Sequence, residues 1–190
     1  MGLKLITAPA TEPLTLAEAK LHLRVDASDE DSYITALIQA AREFAEHITE
    51  RAFVTQTWEL ALDAFPAAEL KLPKPPLASI VSIKYDDTAG TEQTIGSSFY
   101  VADLYSTPGW VLPAYATSWP ATRDQANAVR VRYSCGYGAA AAVPQGIKNW
   151  ILLRVGSLYA IREEMVPGRA LQPAFVDRLL DAYRVWDLAL

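Results

Sequence analysis

The sequence is poor in the residues that enzymes and metal sites most often use. It contains one cysteine, Cys135, and two histidines, His22 and His47, among 190 residues. A lone cysteine cannot form an intramolecular disulfide, and neither histidine has a second ligand at the spacing of a zinc-binding helix. We therefore expect no metal site and no cofactor, and we expect synthesis in a reducing, intracellular compartment.

Nucleophilic and acid-base catalysis also lack support in the sequence. No serine stands in a Gly-x-Ser-x-Gly turn, and Cys135 has no recognisable base near it. Carboxylate pairs such as Asp86 and Asp87 occur, but Asp favours turns because it bonds its own backbone, and this pair precedes Gly90. We therefore predict no catalytic residues and no enzyme activity.

Positive charge and long apolar runs are scarce as well. Lys and Arg number 17 against 22 Asp and Glu, and the net charge of -5 argues against a protein whose main task is to grip nucleic acid. No apolar run approaches the ~20 residues that span a bilayer. The hydrophobic content of 51% is ample for a packed core, so the chain should fold.

Helical periodicity is found towards both ends of the chain. Thr15 and Glu18 form a capping-box pair, which predicts a short first helix. Ser28 is the predicted cap of a second helix, whose apolar residues repeat every three or four positions. A third and very hydrophobic helix is predicted after Pro144, and a last one after Pro173.

The middle of the chain changes to a period of two. Trp58 and Leu60 alternate with polar residues, and Val129, Val131 and Tyr133 do the same further on, which is typical of half-buried strands. The predicted fold is α+β, with a helical core of two N-terminal helices and a long third helix, an inserted small β module, and a C-terminal helix. The boundaries are 1–52 for the N-terminal helical part of the core, 53–138 for the β module, 139–165 for the core helix and 166–190 for the C-terminal extension.

Three aromatic residues, Trp110, Tyr115 and Trp119, occur in and around the loops of the predicted β module. They could form a platform for a ligand. Aromatic residues in a small, loop-rich β module more often close its core, so we favour a core role.

An aromatic stripe marks the predicted C-terminal helix. Phe175, Leu179, Tyr183 and Trp186 fall on one helical face. Two interpretations remain open: the stripe is a helix-in-groove anchor for a partner, or it covers the protein's own core.

Short motifs recur in a distinctive order along the chain, including Leu14-Thr15-Leu16-Ala17-Glu18, Leu62-Asp63-Ala64-Phe65-Pro66, Pro75-Pro76-Leu77, Trp119-Pro120 and Gly136-Tyr137-Gly138. This order resembles the gp6-like and phiE125 gp8-like families of phage head-tail connector, or head completion, proteins. The resemblance extends from Leu14 to about Glu164.

The resemblance implies a structural role in the neck of a tailed phage, prophage or gene transfer agent particle, made in the bacterial cytoplasm. Copies of such a protein form a ring of about twelve subunits beneath the capsid portal. The ring extends the DNA channel, through which DNA passes without sequence-specific binding, and it receives the next neck or stopper protein. In related adaptors the C-terminal segment reaches towards the portal, so Phe175, Leu179, Tyr183 and Trp186 become candidate portal-binding residues.

Two other functions compete with this one. The first is a tail-side or stand-alone oligomeric structural protein, and the second is an enzyme of unrecognised type.

Overall fold

The computed structural model describes residues 1–162 and 177–186. Three α-helices form where the apolar residues repeat at helical spacing: α1 (Leu16–Leu23), α2 (Asp31–Thr49) and α3 (Gln145–Ala160). Eight strands lie between or before them, so the predicted α+β class is confirmed. Within the described residues, no helix combines the length and the apolar character needed to cross a membrane.

The start of α1 follows the sequence prediction and the start of α2 does not. Thr15 Oγ1 accepts a hydrogen bond from the Glu18 backbone at 3.2 Å, and the Thr15 backbone donates to the Glu18 carboxylate at 2.7 Å, which completes the capping box. Helix α2 instead begins after Glu30 without a side-chain cap. Ser28 contributes only its carbonyl, which accepts from the Asp31 N–H at 3.1 Å, so the predicted Ser28 cap was wrong.

The chain divides into two compact units. The helical unit comprises Thr11–Val54 and the described part of Gly138–Arg184, and the sheet unit comprises Met1–Ala10, Thr55–Tyr137 and the described residues from Val185 onward. In the helical unit the apolar faces of α2 and α3 pack together. Their buried residues are Ile34, Ile38, Ala41 and Ala45 on α2, and Ile147, Trp150, Ile151 and Val155 on α3.

The sheet unit contains two antiparallel sheets. The larger has the order β1-β2-β8-β4-β5, formed by β1 (Gly2–Thr7), β2 (Gln56–Leu62), β8 (Val129–Cys135), β4 (Leu77–Asp86) and β5 (Glu92–Ile95). The smaller has the order β3-β7-β6, formed by β3 (Leu70–Lys71), β7 (Trp110–Pro113) and β6 (Tyr100–Asp103).

Strand β8 lies at the centre of the larger sheet, and its alternation explains why. Val131 pairs with Leu60 on one side and with Ile83 on the other, and all three side chains are buried. Residues at alternate positions of a strand face the same side, so Tyr133 is buried as well. Its hydroxyl donates to the Pro73 carbonyl at 2.8 Å, and burial raises its pKa.

The first strand is a feature that the sequence analysis missed. Residues 2–7 were assigned to the N-terminal helical part, but they form β1, which pairs with β2 in the sheet unit. Leu3 faces Leu60, and Leu5 faces Trp58. Strand β1 is an edge strand, and Lys4 near its middle is typical of natural sheet edges.

Candidate partner-binding surfaces

The candidate portal anchor lies at the C-terminal end of the described chain. Phe175 lies outside the described residues. The segment Arg178–Tyr183 forms a 3-10 helix, whereas the predicted stripe assumes the residue spacing of an α-helix. In a 3-10 helix residues three apart share a face, so Leu180 and Tyr183 point the same way and Leu179 does not.

The inner face of this 3-10 helix packs on the helical unit. Leu180 is fully buried, and the segment contacts both α2 and α3. Tyr183 lies against Gly146 on α3, where a Cβ would come within 2.6 Å of the tyrosine hydroxyl. Arg51 Nε donates to the Tyr183 carbonyl. These contacts fix the backbone from which the neighbouring side chains project.

The two remaining stripe residues are exposed. Leu179 is 42% exposed and lies on a different face of the 3-10 helix from the buried Leu180. Trp186 follows the 3-10 helix and is 75% exposed. The three stripe residues that the structure describes therefore do not form one continuous face: Tyr183 packs within its own unit, while Leu179 and Trp186 expose apolar surface.

A second exposed aromatic residue, Tyr105, lies on the loop between β6 and β7. Asp103 organises this loop, since its Oδ1 accepts from the backbone N–H of Tyr105 at 2.7 Å and of Ser106 at 3.3 Å, and Ser106 Oγ donates to Oδ2. The Ser106 hydroxyl and these backbone groups hold the pKa of Asp103 below its ordinary value, so the carboxylate stays charged at neutral pH. The loop presents a Tyr105 side chain that is 99% exposed.

Sequence reasoning missed Tyr105. A signal for it was present, because Asp103 and Ser106 stand around it with Pro108, and such residues stabilise turns rather than strands. An aromatic residue inside such a turn is poorly placed to enter a core.

A cavity of about 320 Å³ lies at the other end of β6. Its aromatic walls are Tyr85, Phe99 and Trp119, and the hydroxyl-bearing residues Thr94 and Ser118 also line it. The Trp119 indole stacks on the ring of Phe65, with centroids 4.6 Å apart and an interplanar angle of 9°. Phe65 in turn meets Tyr85 edge to face at 5.9 Å.

The three loop aromatics have different environments. Trp119 packs on Phe65 but is only half-buried, since it also lines the cavity. Trp110 is half-buried in β7, while Tyr115 is 100% exposed and belongs to no core. The core interpretation is therefore wrong for Tyr115 and only partly met by Trp110 and Trp119.

Cationic side chains on the solvent face of β8 are neutralised by neighbouring acids. Arg130 makes a bidentate pair with Asp86, at 2.7 and 3.2 Å, and it holds the pKa of that carboxyl below its ordinary value. Arg130 also reaches Glu92 at 3.0 Å. Arg132 binds Glu59 at 2.7 Å. This face therefore has no row of unpaired cations of the kind that grips a phosphate backbone.

The residues considered for metal or thiol chemistry lie far from any such arrangement. Cys135 is buried at the end of β8, while His22 and His47 are exposed on α1 and α2. Within residues 1–162 and 177–186, no three His, Cys, Asp or Glu side chains come together as a group that could hold a metal ion.

Comparison with known proteins finds one family model that matches part of the chain. Residues 13–98 match the model of the phage gp6-like head-tail connector protein family, which confirms the gp6-like resemblance drawn from the sequence. No curated protein matches the chain significantly.

Solved structures with a similar chain come from gene transfer agent particles. A chain in the virion of a native gene transfer agent particle matches with a TM-score of 0.81 at 24% identity, and a chain in the neck of an empty particle, computed with C6 symmetry, matches with 0.80 at 24%. A chain in the neck of a native particle, computed with C12 symmetry, matches with 0.74 at 25%. Each comparison covers 100% of this chain and 99% of the other.

Proposed function

We propose that this protein is a head-tail adaptor subunit of a tailed phage or phage-like particle. Copies of it form a ring under the capsid portal, extend the DNA channel and join the head to the tail. The observation that carries the proposal is the full-length match to a chain in a particle neck with C12 symmetry, at 25% identity, together with the connector family match. A symmetric neck requires many copies of one chain in a closed ring.

The charge of the sheet unit fits a protein that lets DNA slide. Binding to DNA gains most of its strength from Lys and Arg that neutralise phosphates. Here Arg130 and Arg132 are held by carboxylates, and the whole chain carries a net charge of -5. DNA therefore passes through the ring without being held by this face and without sequence-specific binding.

Deletion of the gene in a particle-producing strain tests this function directly. We expect DNA-filled heads without tails in electron micrographs, and a plasmid copy of the gene should restore tailed particles. The neck of the restored particles should contain the chain as a ring. Normal tailed particles without the protein would refute the adaptor role, and would favour a tail-side or stand-alone structural protein if the chain still formed oligomers.

The partner on the capsid side is the portal, and we assign its contact to Leu179 and Trp186. Both side chains are exposed, while the neighbouring Leu180 and Tyr183 hold the segment on α2 and α3. A large exposed apolar side chain on a fixed backbone is well suited to bind a groove. The opposite face of the ring is then left for the next neck or stopper protein.

Matched substitutions separate portal binding from folding. Leu179→Ala combined with Trp186→Ala should weaken portal capture in a pull-down and lower the thermal midpoint much less than Leu180→Ala does. Leu180→Ala should instead lower the stability by about 2–5 kcal/mol, because it removes a fully buried side chain. Undiminished capture of portal by the folded double variant would rule the anchor out.

A further inference from the structure

We propose that neighbouring subunits in the ring are joined by Tyr105 of one copy, which inserts into the Tyr85–Phe99–Trp119 cavity of the next. The inference rests on the proposed function, because it requires a ring. It adds the contact that closes that ring. Every copy carries both parts of this contact: the Tyr105 side chain, here called the knob, and the aromatic cavity.

The positions of the knob and the cavity fit a head-to-tail contact. Phe99 lies immediately before β6 and lines the cavity, whereas Tyr105 lies beyond the other end of that strand. The four residues of β6 span about 10 Å, at roughly 3.3 Å per step. A ring of more than two subunits needs interfaces in which two different patches meet, and a knob and a cavity at opposite ends of one small sheet supply such patches.

The loop that carries the knob is already ordered before binding. The Asp103 carboxylate fixes the loop through two backbone N–H groups and the Ser106 hydroxyl. Gly109, on the same loop, lies so close to Leu77 that a Cβ would come within 2.7 Å of the leucine Cβ. A loop ordered in this way loses little conformational freedom when Tyr105 binds, and so the aromatic contact is not offset by a large ordering cost.

The cavity suits a tyrosine in size and in chemistry. Its volume of about 320 Å³ is at the low end of the range for ligand sites and accommodates a single aromatic side chain. Tyr85, Phe99 and Trp119 offer ring faces and edges, while Thr94 and Ser118 offer hydroxyl groups to a buried phenol. The stack of Trp119 on Phe65 fixes one wall in place.

Photo-crosslinking in assembled particles tests the contact. A benzophenone amino acid in place of Tyr105 should cross-link two copies of the chain on irradiation, and mass spectrometry should find the linkage within residues 85–99 or 118–120. The same probe at Leu21, which is 82% exposed on α1, is the control and should give no linkage inside the cavity. Linkage of position 105 only to other surfaces, or to no second copy, in particles that contain the ring would overturn the inference.

Substitutions provide an independent readout. Tyr105→Ala and Ser118→Trp, which fills the cavity, should each weaken ring assembly by at least about tenfold, as expected for an aromatic anchor. Tyr105→Phe should retain most of the assembly, and circular dichroism should be unchanged in all three variants. Normal rings from folded Tyr105→Ala would refute the contact while leaving the adaptor function intact, whereas particle necks without the chain would refute the adaptor function itself.

Discussion

Arg42 is a buried charged side chain whose replacement should destabilise the helical unit. It lies on α2 and is only 6% exposed, yet it carries a charge. Its Nε meets Glu12 at 2.7 Å and its Nη1 meets Glu46 at 2.8 Å. Burial opposes the charge of Arg42, but the two carboxylates outweigh burial and keep its pKa above the ordinary value. The pairs tie the segment before α1 to the middle of α2.

The cost of Arg42→Met can be estimated from these contacts. Methionine fills much of the space but leaves Glu12 and Glu46 without their cation. Breaking a buried pair costs roughly 3–5 kcal/mol, and the partial exposure of the two carboxylates reduces this to about 2–4 kcal/mol. The total stability of a domain is about 5–15 kcal/mol, so the loss would be readily measurable.

Urea unfolding of the full chain, followed by circular dichroism, measures this effect. Glu43→Gln is the matched control, because Glu43 meets the same guanidinium at 3.3 Å but is 57% exposed, and its loss should cost less than about 1 kcal/mol. Replacing Glu12 and Glu46 by Gln in the Arg42→Met background should recover much of the stability, since no unpaired charge remains. A single Arg42→Met variant as stable as the parent would refute the reasoning.

Three further perturbations test the fold. Tyr133→Phe should lower the unfolding free energy by about 1–3 kcal/mol, because the buried Pro73 carbonyl loses its donor, and chemical denaturation measures it. Gly109→Ala should cost about 1–3 kcal/mol in thermal unfolding, since its Cβ meets backbone and side-chain atoms within 3 Å, whereas Gly2→Ala, with nothing within 4 Å, should have no effect. Hydrogen bonds from Tyr159 and then Arg162 lower the pKa of Glu30 below its ordinary value. Their stabilisation is therefore complete above the ordinary pKa and is lost as the pH falls through the depressed pKa. Glu30→Gln should flatten the acid limb of a stability profile, and an unchanged limb would contradict this.

The parts of the fold that could be predicted from the sequence are those that local chemistry specifies. The Thr15 and Glu18 side chains lie three residues apart, and the capping box they form needs no other part of the chain. The alternation around Val131 likewise predicts a strand with one buried face, whatever its partners are. Ser28 shows the limit of such signals. Its residue type favours capping, but it lies two positions before Glu30, where the helix begins, and contributes only its carbonyl.

Strand β1 could not be predicted in this way. Its residues pair with β2, more than fifty positions further along the chain, as in the register of Leu5 with Trp58. A six-residue strand at a sheet edge also has a weak alternation, because neither face is fully buried. The helix type of the C-terminal segment could not be predicted for a related reason. The choice between α and 3-10 spacing around Leu180 depends on how the segment packs on α2 and α3, which is a tertiary property.

The side chains that form the core and those that we propose to bind partners differ more in exposure than the sequence indicates. Tyr133 and Tyr105 are chemically identical, yet one is fully buried in the central strand and the other is almost fully exposed on a turn. Leu180 and Leu179 are neighbours with a smaller contrast, since one is fully buried and the other is 42% exposed. Because an exposed side chain contributes little to folding, substitutions at Tyr105 and Leu179 should disturb assembly more than stability, while those at Tyr133 and Leu180 should do the reverse. Substitutions at Tyr105 and at Leu179 therefore allow ring closure and portal attachment to be lost one at a time in a chain that still folds.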